Sequence, residues 1–122
     1  DAPGYEPDGL LLFGQIARAA TAVDVRAPPH EAVQLFGLPC AWYMCLHSAY
    51  YLAATTPTDF TAALLNAVNA GGQNVARASL VGALLGAHLG VRNIPSRFLR
   101  GLKHGTRFLA QAEKLADKAL RA

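Results

Sequence analysis

Ala78, Gly82, Gly86 and Gly90 fall at every fourth position of an otherwise apolar stretch, with Ala83 and Ala87 beside them. Spacing of four stacks positions on a single helix face, so a helix over 74–90 carries one face almost bare of side chains. Each glycine inside a helix costs about 1 kcal/mol relative to alanine. Three at one spacing therefore call for a compensating reason. Close approach of another backbone along that face supplies one, and a cleft for a ligand supplies another. Either way, this stretch belongs inside a packed helical assembly.

The rest of the chain also reads as helix. Leu11, Leu12, Ile16, Ala19, Ala20 and Val23 recur at helical spacing, and the pattern ends near Arg26. Ala27-Pro28-Pro29 breaks the chain, and a short helix over 30–36 closes at Gly37. Leu38-Pro39 restarts a helix reaching to about Ala54, apolar on nearly every side and so expected in the core. In Thr56-Pro57-Thr58-Asp59, Thr56 reads as the cap, Pro57 suits the first turn, and the acid favours the positive end of the dipole. The helix that follows carries Phe60, Ala63, Leu64, Ala67 and Val68 and breaks at Ala70-Gly71-Gly72. After 74–90, Asn93-Ile94-Pro95 is a hard stop. Residues 96–102 form a short helix, Gly105 breaks it, and 106–122 form an amphipathic helix on Phe108, Leu109, Ala112, Leu115, Ala116 and Leu120. No stretch alternates with period two. The expected fold class is all-α, as one segment over 1–122.

Composition narrows the function classes without naming one. Hydrophobic residues make up 52% of the chain and charged residues 16%, with mean hydropathy +0.21. A chain this apolar is not of the disordered polar class. It also holds more apolar surface than a small domain readily covers, so either the helices bury nearly all their faces or some surface expects a partner. Formal charge is −4 over 1–61 and +7 over 62–122. The bases are spaced out, with no interleaved aromatic platform, which fits solvated helix faces with a mild attraction for anions and not a nucleic-acid partner. Cys40 and Cys45 point different ways on a helix. They are expected to be reduced and buried, as in a cytoplasmic compartment. The apolar run 78–91 is bracketed by Arg77 and Arg92 and falls short of the roughly 20 residues a bilayer needs. The amino end, starting at Asp1, has neither the basic nor the apolar region of a signal peptide. No membrane association is expected.

Asn69-Ala70-Gly71-Gly72-Gln73-Asn74 leads directly into the glycine-spaced helix. Two glycines permit positive φ and bring backbone N–H groups to a helix amino terminus, where the dipole favours an anion such as phosphate. Gln73 and Asn74 add neutral hydrogen-bonding groups, and Arg77 adds a fixed positive charge one turn on. A plain helix–helix turn capped by Asn74 accounts for the same residues. Elsewhere, His30, His47, His88 and His104 lack metal-ligand spacing, and His47 and His88 read as core histidines. Trp42, Tyr43, Tyr50 and Tyr51 could stack an adenine or simply pack. Ser48 and Ser79 show no partner that the sequence identifies.

The run Phe60, Asn66, Asn69-Ala70-Gly71-Gly72, Gly82-Ala83-Leu84-Leu85-Gly86-Ala87, Gly90, Ile94-Pro95 and Phe98 resembles the carboxy-terminal signature of the ADP-ribosylglycohydrolase superfamily. That signature has a double glycine, Asp-Thr-Asp-Thr, a Gly-Ala-Leu-x-Gly-Ala helix, a glycine, then Ile-Pro and an aromatic. The resemblance covers 59–98, and Leu38-Pro39-Cys40-Ala41 through Tyr51 fits the preceding helix of the family. It implies an orthogonally packed all-α domain of about 300 residues, a size at the upper end for one core. On that reading, the present chain is the carboxy-terminal part, and the missing amino-terminal part of the same protein is its partner.

The resemblance further implies binding of ADP-ribose over magnesium and hydrolysis of the bond between ADP-ribose and an acceptor such as arginine or serine. The ligand-binding residues it points to are Gly71, Gly72, Gln73, Asn74 and Arg77. No catalytic residue and no metal ligand is assigned. Where the family has Asp-Thr-Asp-Thr, this chain has Gln73-Asn74-Val75-Ala76. Magnesium takes hard, preferably anionic oxygen, and this run holds no carboxylate. The departure is similar to the J1-crystallin-like branch, which implies the alternative of a catalytically inactive structural or ADP-ribose-binding protein. Arg77 would then occupy the space and charge of a lost cation.

Overall fold

A computed structural model describes residues 27–121, all-α and without a strand among the described residues. The elements are α1 (Pro29–Phe36), α2 (Trp42–Thr55), α3 (Phe60–Asn69), α4 (Asn74–Leu89), a 3₁₀ turn (Val91–Asn93), α5 (Ser96–Gly101) and α6 (Gly105–Leu120). The helix expected over 11–26 lies outside the described residues.

α4 packs most extensively against α2 and α3, while α1 lies across α2. The core where they meet is built from Val33 of α1, Ala49, Tyr51 and Leu52 of α2, Ala63 and Ala67 of α3, and Val81 and Leu85 of α4. Each large aliphatic side chain buried this way contributes about 1.5–3 kcal/mol. The middle of α2 is a core helix, as its apolar sequence suggested, but its first residue, Trp42, is 57% exposed. The Tyr51 hydroxyl donates to the Ala27 carbonyl and so ties the entry of α1 to the core. Burial pushes the Tyr51 phenol above its ordinary pKa.

Several local expectations are corrected. α3 is capped by Asp59 and not by Thr56: the Asp59 carboxylate accepts from the Ala62 N–H at 2.9 Å. Asp59 sits immediately before the first helical residue, where an oxygen reaches the free amides of the first turn; Thr56 ends α2 instead. Gly105 does not break the chain but begins α6, because His104 takes up the left-handed conformation (φ 60) just before it. Cys40 and His88 are exposed, whereas Cys45 and His47 are buried. Most of the apolar stripe of α6 is uncovered among the described residues, with Leu115 70% exposed and Leu109 half-buried, since α6 packs mainly on the short α5. No helix among them is long and apolar enough to cross a membrane.

Of the two reasons the glycine spacing of α4 suggested, a crossing backbone is not met among the described residues. A Cβ added at Gly82 would lie 3.8 Å from Leu64 Cδ1, and one at Gly86 would lie 3.7 Å from Ile94 Cδ1. These are ordinary contacts to side chains, so among the described residues no second backbone crosses here; Leu64 and Ile94 reach into the space instead. Gly90 is different, because it ends α4 at φ 77 and its N–H returns to the Gly86 carbonyl at 3.0 Å. Gly82→Ala and Gly86→Ala are therefore expected to stabilise the protein by about 0.5–1 kcal/mol each, through helix propensity and a restricted unfolded chain. Urea unfolding measures this, and a clear loss of stability would restore the crowded-face reading.

Candidate functional site

The turn between α3 and α4 owes its shape to two glycines and one buried arginine. Asn69 ends α3, and the Ala70 N–H continues the helical pattern to the Asn66 carbonyl at 3.1 Å. Gly71 (φ 84) and Gly72 (φ 63) then reverse the chain through the left-handed region, which side chains other than glycine enter at a cost. Gly72 also presses on the segment between α1 and α2. A Cβ there would collide with the Leu38 carbonyl and lie 2.8 Å from the Leu38 Cβ. The Gln73 N–H donates to that same Leu38 carbonyl at 3.2 Å. Gly71, by contrast, has nothing among the described residues within 4 Å of an added Cβ.

At the amino end of α4, Gln73 holds the cap position without a side-chain cap bond, so Asn74 is the first helical residue and not the cap. The Asn74 N–H donates to the Gly72 carbonyl at 2.9 Å. Two of the amides that the sequence offered to an anion are thus committed inside the chain. The Gly72, Val75 and Ala76 amides have no backbone acceptor among the described residues. Gln73 is exposed, and Asn74 is half-buried with its Oδ1 enclosed and unpartnered among them.

Arg77 is 0% exposed and its guanidinium points inward. Nη1 donates to the Gly71 carbonyl at 2.8 Å and to the Ala67 carbonyl at 3.2 Å, and Nε donates to Ser48 Oγ at 3.1 Å. The Ser48 hydroxyl in turn donates to the Met44 carbonyl at 2.8 Å. Ala67 lies in the last turn of α3, whose carbonyls have no helical N–H to accept, so Arg77 also satisfies that helix end. No carboxylate among the described residues pairs with it. Burial pushes the guanidinium below its ordinary pKa, and the nearby Cys45 thiol pulls the other way; an arginine stays charged through such shifts.

The structure therefore gathers Gly71, Gly72, Gln73, Asn74 and Arg77 at one turn, with Arg77 behind it. Sequence reasoning missed Ser48 and the Leu38 carbonyl as partners. A signal for the direction of Arg77 was present, because Arg77, Val81 and Leu85 are spaced by four and form the buried stripe of α4. The other candidates lie elsewhere. His47 stacks on Phe36, with ring centres 5.4 Å apart. Trp42 meets Tyr43 edge-on at 5.9 Å, Tyr50 is half-buried, and Tyr51 is fully buried.

The donor set does not suit magnesium. Gln73 to Ala76 offer no carboxylate, and the oxygens of Ser48, Ala67 and Gly71 are turned to a guanidinium. The enclosed amide oxygen of Asn74 is neutral, whereas magnesium keeps several waters and is usually anchored by one or two carboxylates. No group of three metal-ligating side chains occurs among the described residues.

Two substitutions separate the constraints on the turn. Gly71→Ala is expected to cost about 1–2 kcal/mol, the left-handed penalty alone. Gly72→Ala should cost distinctly more, because Leu38 must also move. Chemical unfolding of both variants checks the order, and equal costs would remove the Leu38 contact from the account.

Among known families, the model described as ADP-ribosylglycohydrolase matches residues 7–122 of the chain. Comparison with curated proteins and with solved structures gives no match.

Proposed function

Since the chain belongs to the ADP-ribosylglycohydrolase family, we propose that its Gly71–Gly72 turn and the start of α4 form part of an ADP-ribose-binding surface, in a protein that cleaves the bond between ADP-ribose and an acceptor. The observation that carries this reading is the turn itself. It sets backbone amides with no backbone acceptor among the described residues at the positive end of a 16-residue helix, a geometry suited to a pyrophosphate. Gly71 and Gly72 allow close approach, Gln73 and Asn74 offer amide side chains to hydroxyl groups, and Arg77 fixes the turn from behind. In the reaction, water adds its oxygen to the anomeric carbon, and the acceptor leaves with the proton. The groups that activate water and acceptor are not among the residues of this turn. On this reading they come from chain lying upstream, and 1–122 is the carboxy-terminal part of the family domain.

A second reading keeps the binding and drops the cleavage. The absence of a carboxylate at Gln73-Asn74-Val75-Ala76 favours it, because the magnesium that the family uses generally finds no anionic ligand there. The J1-crystallin-like alternative is of this kind.

One experiment covers both. Calorimetric titration with ADP-ribose is expected to show saturable binding that Gly72→Ala weakens about tenfold or more. Incubation with ADP-ribosylated arginine and magnesium then reads release of ADP-ribose. Release supports the hydrolase, and binding without release supports the second reading. Neither binding nor release would overturn the proposal.

A further inference from the structure

We infer that Arg77 is the positioning residue of the Gly71–Gly72 turn, a built-in cation that aims the Gly72 N–H outward and strengthens it as a donor to an anionic ligand. The inference deepens the ADP-ribose reading of that turn and rests on it for the identity of the ligand, but not for the geometry.

The argument starts from one peptide plane. Arg77 Nη1 holds the Gly71 carbonyl at 2.8 Å, drawing that oxygen into the protein. The Gly71–Gly72 peptide is not cis and a trans peptide is planar, so the Gly72 N–H points away from the side on which the guanidinium holds the carbonyl; Gly72 itself is exposed. That N–H makes no hydrogen bond among the described residues. A carbonyl bound to a charged donor polarises its whole peptide unit, and hydrogen bonds in such a chain reinforce one another. The guanidinium therefore acts on the ligand through one peptide group, without touching it.

The grip is rigid because it has three points from separate places. Ser48 belongs to α2, Ala67 to the end of α3, and Gly71 to the turn. A lysine offers no planar fork and cannot meet three acceptors in this arrangement as arginine does. The charge pairs with no carboxylate among the described residues, so it faces the turn through neutral oxygens. A phosphate-bearing ligand is the matching chemistry.

The test compares wild type with Arg77→Met and Arg77→Lys, using two readouts. Amide hydrogen exchange over 70–76, referred to the core amides of α2 and α4, reads the turn; calorimetric titration with ADP-ribose reads the ligand. Arg77→Met is expected to speed exchange of the turn about tenfold relative to the core and to weaken ADP-ribose about tenfold, with Arg77→Lys restoring part of each. Should Arg77→Met fail to fold, Arg77→Lys and Ser48→Ala carry the same two readouts, with smaller expected losses. Turn exchange and affinity equal to wild type in the folded variants would overturn the inference. If wild type binds no ADP-ribose, the functional reading of the turn fails, and the exchange arm still decides whether Arg77 positions it.

Discussion

A guanidinium held inside the protein by neutral oxygens is the interaction on which the rest of this structure depends. Burying a charge is costly unless its hydrogen bonds are met, and removing part of such a set leaves the remainder exposed to that cost. Arg77 meets it with Ser48 Oγ and the Ala67 and Gly71 carbonyls. These acceptors belong to α2, to the end of α3 and to the turn into α4, so one side chain fixes how three helices come together. The packing of α4 between α2 and α3 follows, with Val81 and Leu85 continuing the stripe that Arg77 begins.

The same arrangement accounts for the glycine pair. Arg77 needs the Gly71 carbonyl turned inward, and Leu38 needs the backbone of Gly72 close enough for the Gln73 N–H to reach its carbonyl. Both demands are met at positive φ, which glycine reaches without a Cβ penalty. The site and the core are thus one construction: the residues that would face a ligand are held by the residue that locks the helices.

Much of the fold was readable in advance because helices announce themselves by period and punctuation. The breaks at Gly37, Gly71-Gly72 and Pro95 separate helices as expected, and α1 opens at Pro29. Where reading failed, tertiary context decided. Thr56 and Asp59 are both good capping residues, and only the position of the first helical turn selects Asp59. The four-residue spacing of Gly82 and Gly86 suggested a backbone crossing or a cleft, and among the described residues it is the side chains of Leu64 and Ile94 that approach this face. The amphipathic pattern of α6 was correctly seen, but pattern alone does not supply the surface that covers it. At the site, the turn was legible from its glycines, whereas the role of Arg77 was not. Its charge suggested part of an anion site or a stand-in for a lost cation, and its register with Val81 and Leu85 places it in the core. Ser48 could not be found from sequence, since it lies 29 residues away on another helix.

The central claim is that the Arg77 guanidinium is enclosed and hydrogen-bonded at both its Nε and Nη1 edges. Nuclear magnetic resonance of the arginine side-chain N–H groups addresses it most directly, by following their exchange with water. The account predicts an Arg77 Nε–H that exchanges far more slowly than those of exposed arginines such as Arg92 and Arg100, with resolved Nη protons because rotation of the group is blocked. A single averaged, rapidly exchanging Arg77 signal would contradict it.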